Sequence, residues 1–246
     1  MTNHLFDTVV EFEKTEFHSP VVFGGFVGPG LVGLVSAGYM IEKLNLHEIA
    51  HVKSQHIPPV AVFVGAKLRH PFRIYSDDSG TVVVMICEMP IDIEGLYEIS
   101  SVLLDWVDQI HGKEIVVLDG VGVSGMPDQR ETFGVGNEDR MKELGQKGIN
   151  PIRSALISGV GGSLLNQALT RRISGVSLLT TASTDFPDPG AALSMIKSIN
   201  QIFGLAIETA DLEQNVERLN QRLNDLAGEY KKQSDQLPNK GKEFYG

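Results

Sequence analysis

The 246-residue chain, 42% hydrophobic and 21% charged, can bury a sizeable core in one large domain, with or without an appendage. Its formal net charge of −10 argues against non-specific nucleic-acid binding, which needs Lys and Arg on phosphates, and suits docking on a basic surface. One cysteine, Cys87, excludes an intramolecular disulfide, and no leader or long uncharged apolar run marks a secreted or membrane protein, so a reducing cytoplasm is the expectation.

Val21 to Val27 reads as a buried strand, turned by Gly28-Pro29-Gly30 into a helix over Leu31 to Leu44. Glu48 to Val52, Val60 to Lys67, Phe72 to Tyr75 and Thr81 to Glu88 read as strands. Asp77-Asp78-Ser79-Gly80 joins the last two as a hairpin. Cys87 falls in an apolar run and reads as a small buried hydrophobe. Ile99, Val102, Leu103, Trp106, Val107 and Ile110 share one face of a helix over Glu98 to Ile110.

Glu114 to Leu118 reads as a strand ending at Asp119-Gly120-Val121-Gly122, followed by a polar loop from Ser124 to about Asn137. A short polar helix, Glu138 to Gln146, is closed by Gly148. Ala155-Leu156-Ile157 reads as a strand running into the turn Gly159 to Gly162, with a helix over Ser163 to Arg171 and a last strand over Val176 to Thr181. Asp188-Pro189 opens a final core helix, since Asp caps well and Pro suits the first helical position. The alternation gives an α/β fold with a mixed, mostly parallel sheet.

The pattern changes near Leu205. Leu212, Val216, Leu219, Leu223 and Leu226 follow a four-three alternation on an otherwise polar helix ending near Tyr230. That seam is a coiled-coil-like extension of about three to four heptads, or a helix packed on its own domain; its narrowness favours pairing with another helix. Residues 231–242 are polar and include Pro238 and Gly241, the composition of a disordered tether. The chain thus divides into an α/β domain over 1–204, a helical extension over 205–230 and a tail over 231–246. The tail ends in Phe244-Tyr245-Gly246, an apolar wedge, a ring with a hydroxyl and a carboxylate, and preformed pockets capture such termini.

Gly28-Pro29-Gly30-Leu31-Val32-Gly33 matches a dinucleotide fingerprint after a strand, but Pro29 removes an N–H and the following strand carries no acid at its end, so close helix–sheet packing is the better reading. Gly112-Lys113-Glu114 and Gly241-Lys242-Glu243 lack the hydroxyl of a nucleotide-binding P-loop, which excludes an ATP-driven motor. Asp119 and the Gly159 to Gly162 turn stand where α/β sheets form ligand crevices, so a vestigial pocket or a nucleoside- or nucleotide-processing enzyme is the competing reading. His47, His51 and His56 could recruit a metal but read as surface residues, and Asp92 and Glu94 as loop and cap residues. No catalytic residue, cofactor or metal ligand is expected.

Gly24 to Gly33, Asp119-Gly120-Val121-Gly122, Gly159 to Leu165 and Phe186-Pro187-Asp188-Pro189-Gly190-Ala191-Ala192 together resemble the archaeal proteasome assembly chaperone family, related to eukaryotic chaperone two. The resemblance covers about Pro20 to Phe203. Thr180-Thr181-Ala182-Ser183 departs from it, standing where a Gly-Glu pair is expected. It implies a phosphorylase-like three-layer α/β fold used as a scaffold without catalysis. It also implies homo-oligomerisation, with a tetramer the candidate number, and binding to proteasome α-subunits. The tail would dock between adjacent α-subunits, with the Gly246 carboxylate on a pocket Lys, Tyr245 on the gate-controlling turn and Phe244 in the apolar mouth.

Overall fold

The computed structural model describes residues 7–64 and 66–218. The chain divides into two units, one up to Glu208 and one from Thr209. In the first, the strands are β1 (Thr8–Glu11), β2 (Val21–Gly25), β3 (His47–Lys53), β4 (Val62–Val64), β5 (Lys67–Arg69), β6 (Phe72–Ser76), β7 (Val82–Cys87), β8 (Glu114–Val123), β9 (Thr132–Val135), β10 (Asn150–Pro151) and β11 (Gly175–Ser183). The helices are α1 (Val32–Lys43), α2 (Leu96–Gln109), α3 (Glu138–Gln146), α4 (Gly159–Arg171) and α5 (Pro189–Phe203). In the second unit, residues 210–218 are helical.

Nine strands form one sheet in the order β1-β3-β6-β7-β2-β8-β11-β9-β10, while β4 and β5 pair separately. The expected hairpin over Asp77 to Gly80 forms between β6 and β7. The expectation of a mostly parallel sheet is corrected. β2–β7, β2–β8, β8–β11 and β9–β10 are parallel. β1–β3, β3–β6, β6–β7 and β9–β11 are antiparallel, so the two kinds are equal in number. Antiparallel strands extend one side of the parallel centre, and β9 inserts antiparallel on the other.

α1 and α5 pack together on one face of the sheet, α2 and α4 on the other. Alternation along β2 serves both layers: Val22 joins the core beneath α2 and α4, and Phe23 meets Phe203 of α5 edge-on at 5.0 Å. Ile99, Leu103, Trp106 and Val107, the apolar stripe of α2, are all buried, as is Cys87. After α5 the chain turns at Gly204 (φ 69°), and the Asn200 side chain both donates to the Ile207 carbonyl and accepts from its N–H. Tyr39 Oη donates to the Glu208 carbonyl at 2.8 Å.

Four local expectations differ from the structure. β8 continues past Asp119 to Val123, because β11 pairs with it residue for residue through Ser183. The polar loop contains β9, only four residues long and buried on alternate positions. Val60 to Lys67 is not one strand but is broken between β4 and β5. Ala155-Leu156-Ile157 is not a strand: Leu156 is 89% exposed and the edge position goes to β10. The glycines after it open α4 instead. A Cβ on Gly161 would lie 2.7 Å from Val117 Cγ1, so its absence lets that helix lie close on β8.

The fingerprint glycines also serve packing. A Cβ on Gly33 would sit 2.1 Å from the Leu118 carbonyl oxygen, and one on Gly25 would sit 2.3 Å from the Gly33 carbonyl oxygen. Gly145, inside α3, has open space around it. Gly33→Ala is therefore expected to lower stability by about 1–3 kcal/mol through overpacking. Gly145→Ala is expected to raise it by up to about 1 kcal/mol through helix propensity. Urea unfolding midpoints check both signs.

Candidate functional site

The parallel strands β7, β2, β8 and β11 end on the same side. There the chain leaves β2 through α1 toward β3 on one flank, while β8 lies on the other flank. Such a switch point opens a crevice at the strand ends. Here it measures about 420 Å³ and is lined by residues 28–31 of the β2–α1 loop and residues 184–187 of the β11–α5 loop.

The β2–α1 loop is tightly held. Gly30 (φ 61°) and Leu31 (φ 52°) are both left-handed, which Gly30 adopts freely and Leu31 at a cost. The Leu31 N–H donates to the Gly28 carbonyl at 3.0 Å, and the Asp188 N–H donates to the Gly30 carbonyl at 2.8 Å. The strand expected to complete a dinucleotide half, β3, lies beyond β7 and β6 and pairs antiparallel. A dinucleotide site needs it parallel beside β2, so the glycines here serve packing.

Asp188, next in the chain to the crevice lining, ties the two lining loops together. It is fully buried, yet its carboxylate is satisfied on three sides. Oδ1 accepts from Arg130 Nε at 2.8 Å and from the Ala191 N–H at 3.1 Å, capping α5; Oδ2 accepts from the Ser183 N–H at 3.3 Å. A Cβ on Gly190 would meet Arg130 Nε at 2.7 Å, so only glycine leaves room for the guanidinium. Ala191 and Ala192 are fully buried. Asp185 is also engaged: Oδ2 accepts from the Gly125 N–H at 2.9 Å. Arg130 is the residue that pattern reasoning missed, because it lies in a loop with no periodic signal and finds its partner 58 residues away.

Asp119 stands on β8 against the same loop. A Cβ on Gly28 would lie 2.1 Å from Asp119 Oδ1, so glycine there admits the carboxyl group. Burial pushes the Asp119 pKa up to about 6, against the smaller opposing effect of the Gly120 N–H bond at 2.8 Å.

The three histidines diverge. His47 faces Glu13 at 3.7 Å and Asp78 at 3.4 Å. His51 stacks on His70 with centroids 3.7 Å apart, and burial, then the neighbouring His70, lower its pKa. His56 faces Glu98 at 3.4 Å. All three are partly buried rather than surface residues. Leu212 and Val216 lie one turn apart on the 210–218 helix, sharing a face. Leu219, Leu223, Leu226, Phe244, Tyr245 and Gly246 lie outside the described residues.

The model of the PAC2 family matches residues 22–227. The chain belongs to the PAC2 family. A Thermoplasma acidophilum protein of unknown function has a similar structure at 44% identity, covering 89% of this chain and 90% of that one, with a TM-score of 0.76. Two Pyrococcus furiosus structures share the fold. PbaA, described as an archaeal homologue of proteasome-assembly chaperone, has 23% identity over 94% of this chain and 96% of its own, with a TM-score of 0.82. PbaB, described as an archaeal proteasome activator, has 21% identity over 90% and 99%, with a TM-score of 0.80. In this PAC2 protein, the Asp188-Pro189-Gly190-Ala191-Ala192 run has a physical reading. It is a helix start whose cap, first-turn proline, guanidinium space and two close-packed methyls are set in five consecutive positions.

The raised Asp119 pKa has a pH consequence. Between the ordinary carboxylate value and about 6, the folded state holds a proton that the unfolded chain has released. Stability conferred by this group is thus full at low pH and is lost as pH rises to about 6. Asp119→Asn should remove this dependence and raise stability at pH 7 by roughly 2–3 kcal/mol. Urea midpoints of both forms from pH 4 to 7.5 check it, with parallel profiles the contrary result.

Proposed function

We propose that this protein is an ATP-independent proteasome assembly chaperone or activator that docks Phe244-Tyr245-Gly246 into pockets between proteasome α-subunits. The observation that carries the reading is the Phe-Tyr-Gly sequence on a chain whose body is a PAC2 domain. The likeness to PbaA and PbaB over nearly their whole lengths supports it. So does the absence of a P-loop motif from the sequence, which leaves binding energy as the only source of work.

In this reading the α/β body is a phosphorylase-like scaffold without catalysis, acting in the cytoplasm. Copies form a homo-oligomer, with a tetramer the candidate number, and the Leu212, Val216, Leu219, Leu223 and Leu226 seam pairs as a coiled coil. Each tail binds weakly, and tails carried on one oligomer gain by effective concentration. The Gly246 carboxylate pairs with a pocket lysine, Tyr245 packs on the gate-controlling turn, and Phe244 fills the pocket mouth. To open a gate, the tail must bind the open state more tightly than the closed one.

A second reading, a nucleoside- or nucleotide-binding enzyme, draws on the strand-end crevice with Asp119 beside it. The engagement of Asp185 and Asp188 within the fold weighs against it. A thermal shift with nucleosides, nucleotides or phosphate, abolished by Asp119→Asn, would favour it.

Deleting Phe244 to Gly246 should abolish co-sedimentation with a proteasome core particle and stimulation of its peptide hydrolysis, while the melting temperature of the body stays unchanged. Adding one residue after Gly246 should have the same effect, since it moves the carboxylate. Undiminished binding by both variants would overturn tail docking.

A further inference from the structure

Asp7, His56 and Glu98 come together at the opposite flank from the α5 cap. Asp7 stands immediately before β1, His56 in the loop after β3, and Glu98 in the first turn of α2. One donor atom from each lies within 4.8 Å of the other two. Among the described residues, this is the one place where three such side chains converge.

The fold builds this meeting. Trp106 Nε1 donates to Glu11 Oε1 at 2.5 Å, tying the far end of β1 to α2. From Trp106 back to Glu98, two helical turns cover about 12 Å. From Glu11 back to Asp7, four strand residues cover about 13 Å. The two elements therefore return Asp7 to the level of Glu98. The third member is held by contact with the short helical turn before α2. A Cβ on Gly95 would lie 2.1 Å from His56 Cβ, so glycine there lets the imidazole lie against that turn. The His56 N–H donates to Ser54 Oγ at 3.0 Å, and the Asp92 N–H donates to the His56 carbonyl at 3.4 Å.

Asp7 is the independent pointer to a ligand. It is 6% exposed, and neither carboxylate oxygen has a hydrogen-bond partner among the described residues. A buried carboxylate in that state carries a desolvation cost that nothing among the described residues offsets, and a cation between it and Glu98 would offset it. The geometry points to a site for a single first-row transition-metal dication of the Zn2+ class, held by Asp7, His56 and Glu98. His56 Nε2 and Glu98 Oε2 are 3.4 Å apart. Two ligands bonded at about 2.0–2.1 Å in a tetrahedron stand about 3.3 Å apart, so this pair needs little adjustment. Two carboxylates neutralise the charge of the ion. The imidazole nitrogen favours zinc and its neighbours over calcium and magnesium, which take sets of oxygen ligands. His56 and Glu98 side chains are 17% and 42% exposed, which gives the ion a route in and leaves a fourth position to water. Gln55 Nε2, 3.5 Å from His56 Nε2, stands beside that route. Bound there, the ion staples β1, the β3 loop and α2 into one piece.

The test uses the full chain, stripped with chelator, titrated with ZnCl2 by calorimetry and with CoCl2 by visible absorption, with melting curves alongside. One ion per chain is expected, with a Co2+ absorption band and a higher melting temperature in the presence of Zn2+. Asp7→Asn, His56→Gln and Glu98→Gln should each weaken binding by at least about tenfold. His51→Gln, at the stacked histidine pair, should leave it unchanged. Without metal, Asp7→Asn should melt at or above the unsubstituted protein, because it removes a buried carboxyl group that has no hydrogen-bond partner among the described residues; this near-isosteric variant keeps the test decisive if another fails to fold. Zn2+ binding equally tight in Asp7→Asn, or binding lost in His51→Gln and kept in His56→Gln, would overturn the assignment, as would no saturable binding at all.

Discussion

The buried carboxylate of Asp188 is the point on which this half of the fold depends. It accepts from Arg130, from the first turn of α5 and from the end of β11, while its own N–H holds the β2–α1 loop. Three regions far apart in the chain, around Gly30, around Arg130 and at the β11–α5 junction, are fixed by one residue. Removing the acid alone would leave a mostly buried guanidinium without its partner, the costly way to break such a pair. The crevice at the strand ends exists because these segments are held there.

How much of this was legible in the sequence depends on where the stabilising contacts lie. α2, α3 and α5 announced themselves, since their signals are local: an apolar stripe, a glycine stop, an Asp-Pro start. The parallel centre was also legible from apolar runs ending in glycine. β9 was not, because four half-buried residues carry no pattern of their own and owe their conformation to β11. Ala155 to Ile157 misled for the opposite reason: it is apolar without being buried. Balance between parallel and antiparallel pairing is a property of neighbours, which composition does not encode.

At the candidate site the division is similar. The fingerprint glycines pointed to the right loop and to its packing role. The partner of Asp188 lay in a stretch read as polar loop, and Asp119 needed its burial to become unusual. Histidines spaced within ten residues were natural candidates to act together, yet a bulge in β3 separates His47 from His51 and His56 lies in the following loop, so they reach three different neighbourhoods. The convergence of Asp7 with His56 and Glu98 spans 91 residues of chain and belongs wholly to tertiary structure.

The sheet closes at one margin with β10, two residues long and including Pro151. Proline offers no N–H to a further strand, and so short a rim gives an incoming backbone almost nothing to pair with. That border is a poor template for edge addition. A second backbone therefore cannot readily continue the sheet past β10, and contacts at that margin fall to side chains.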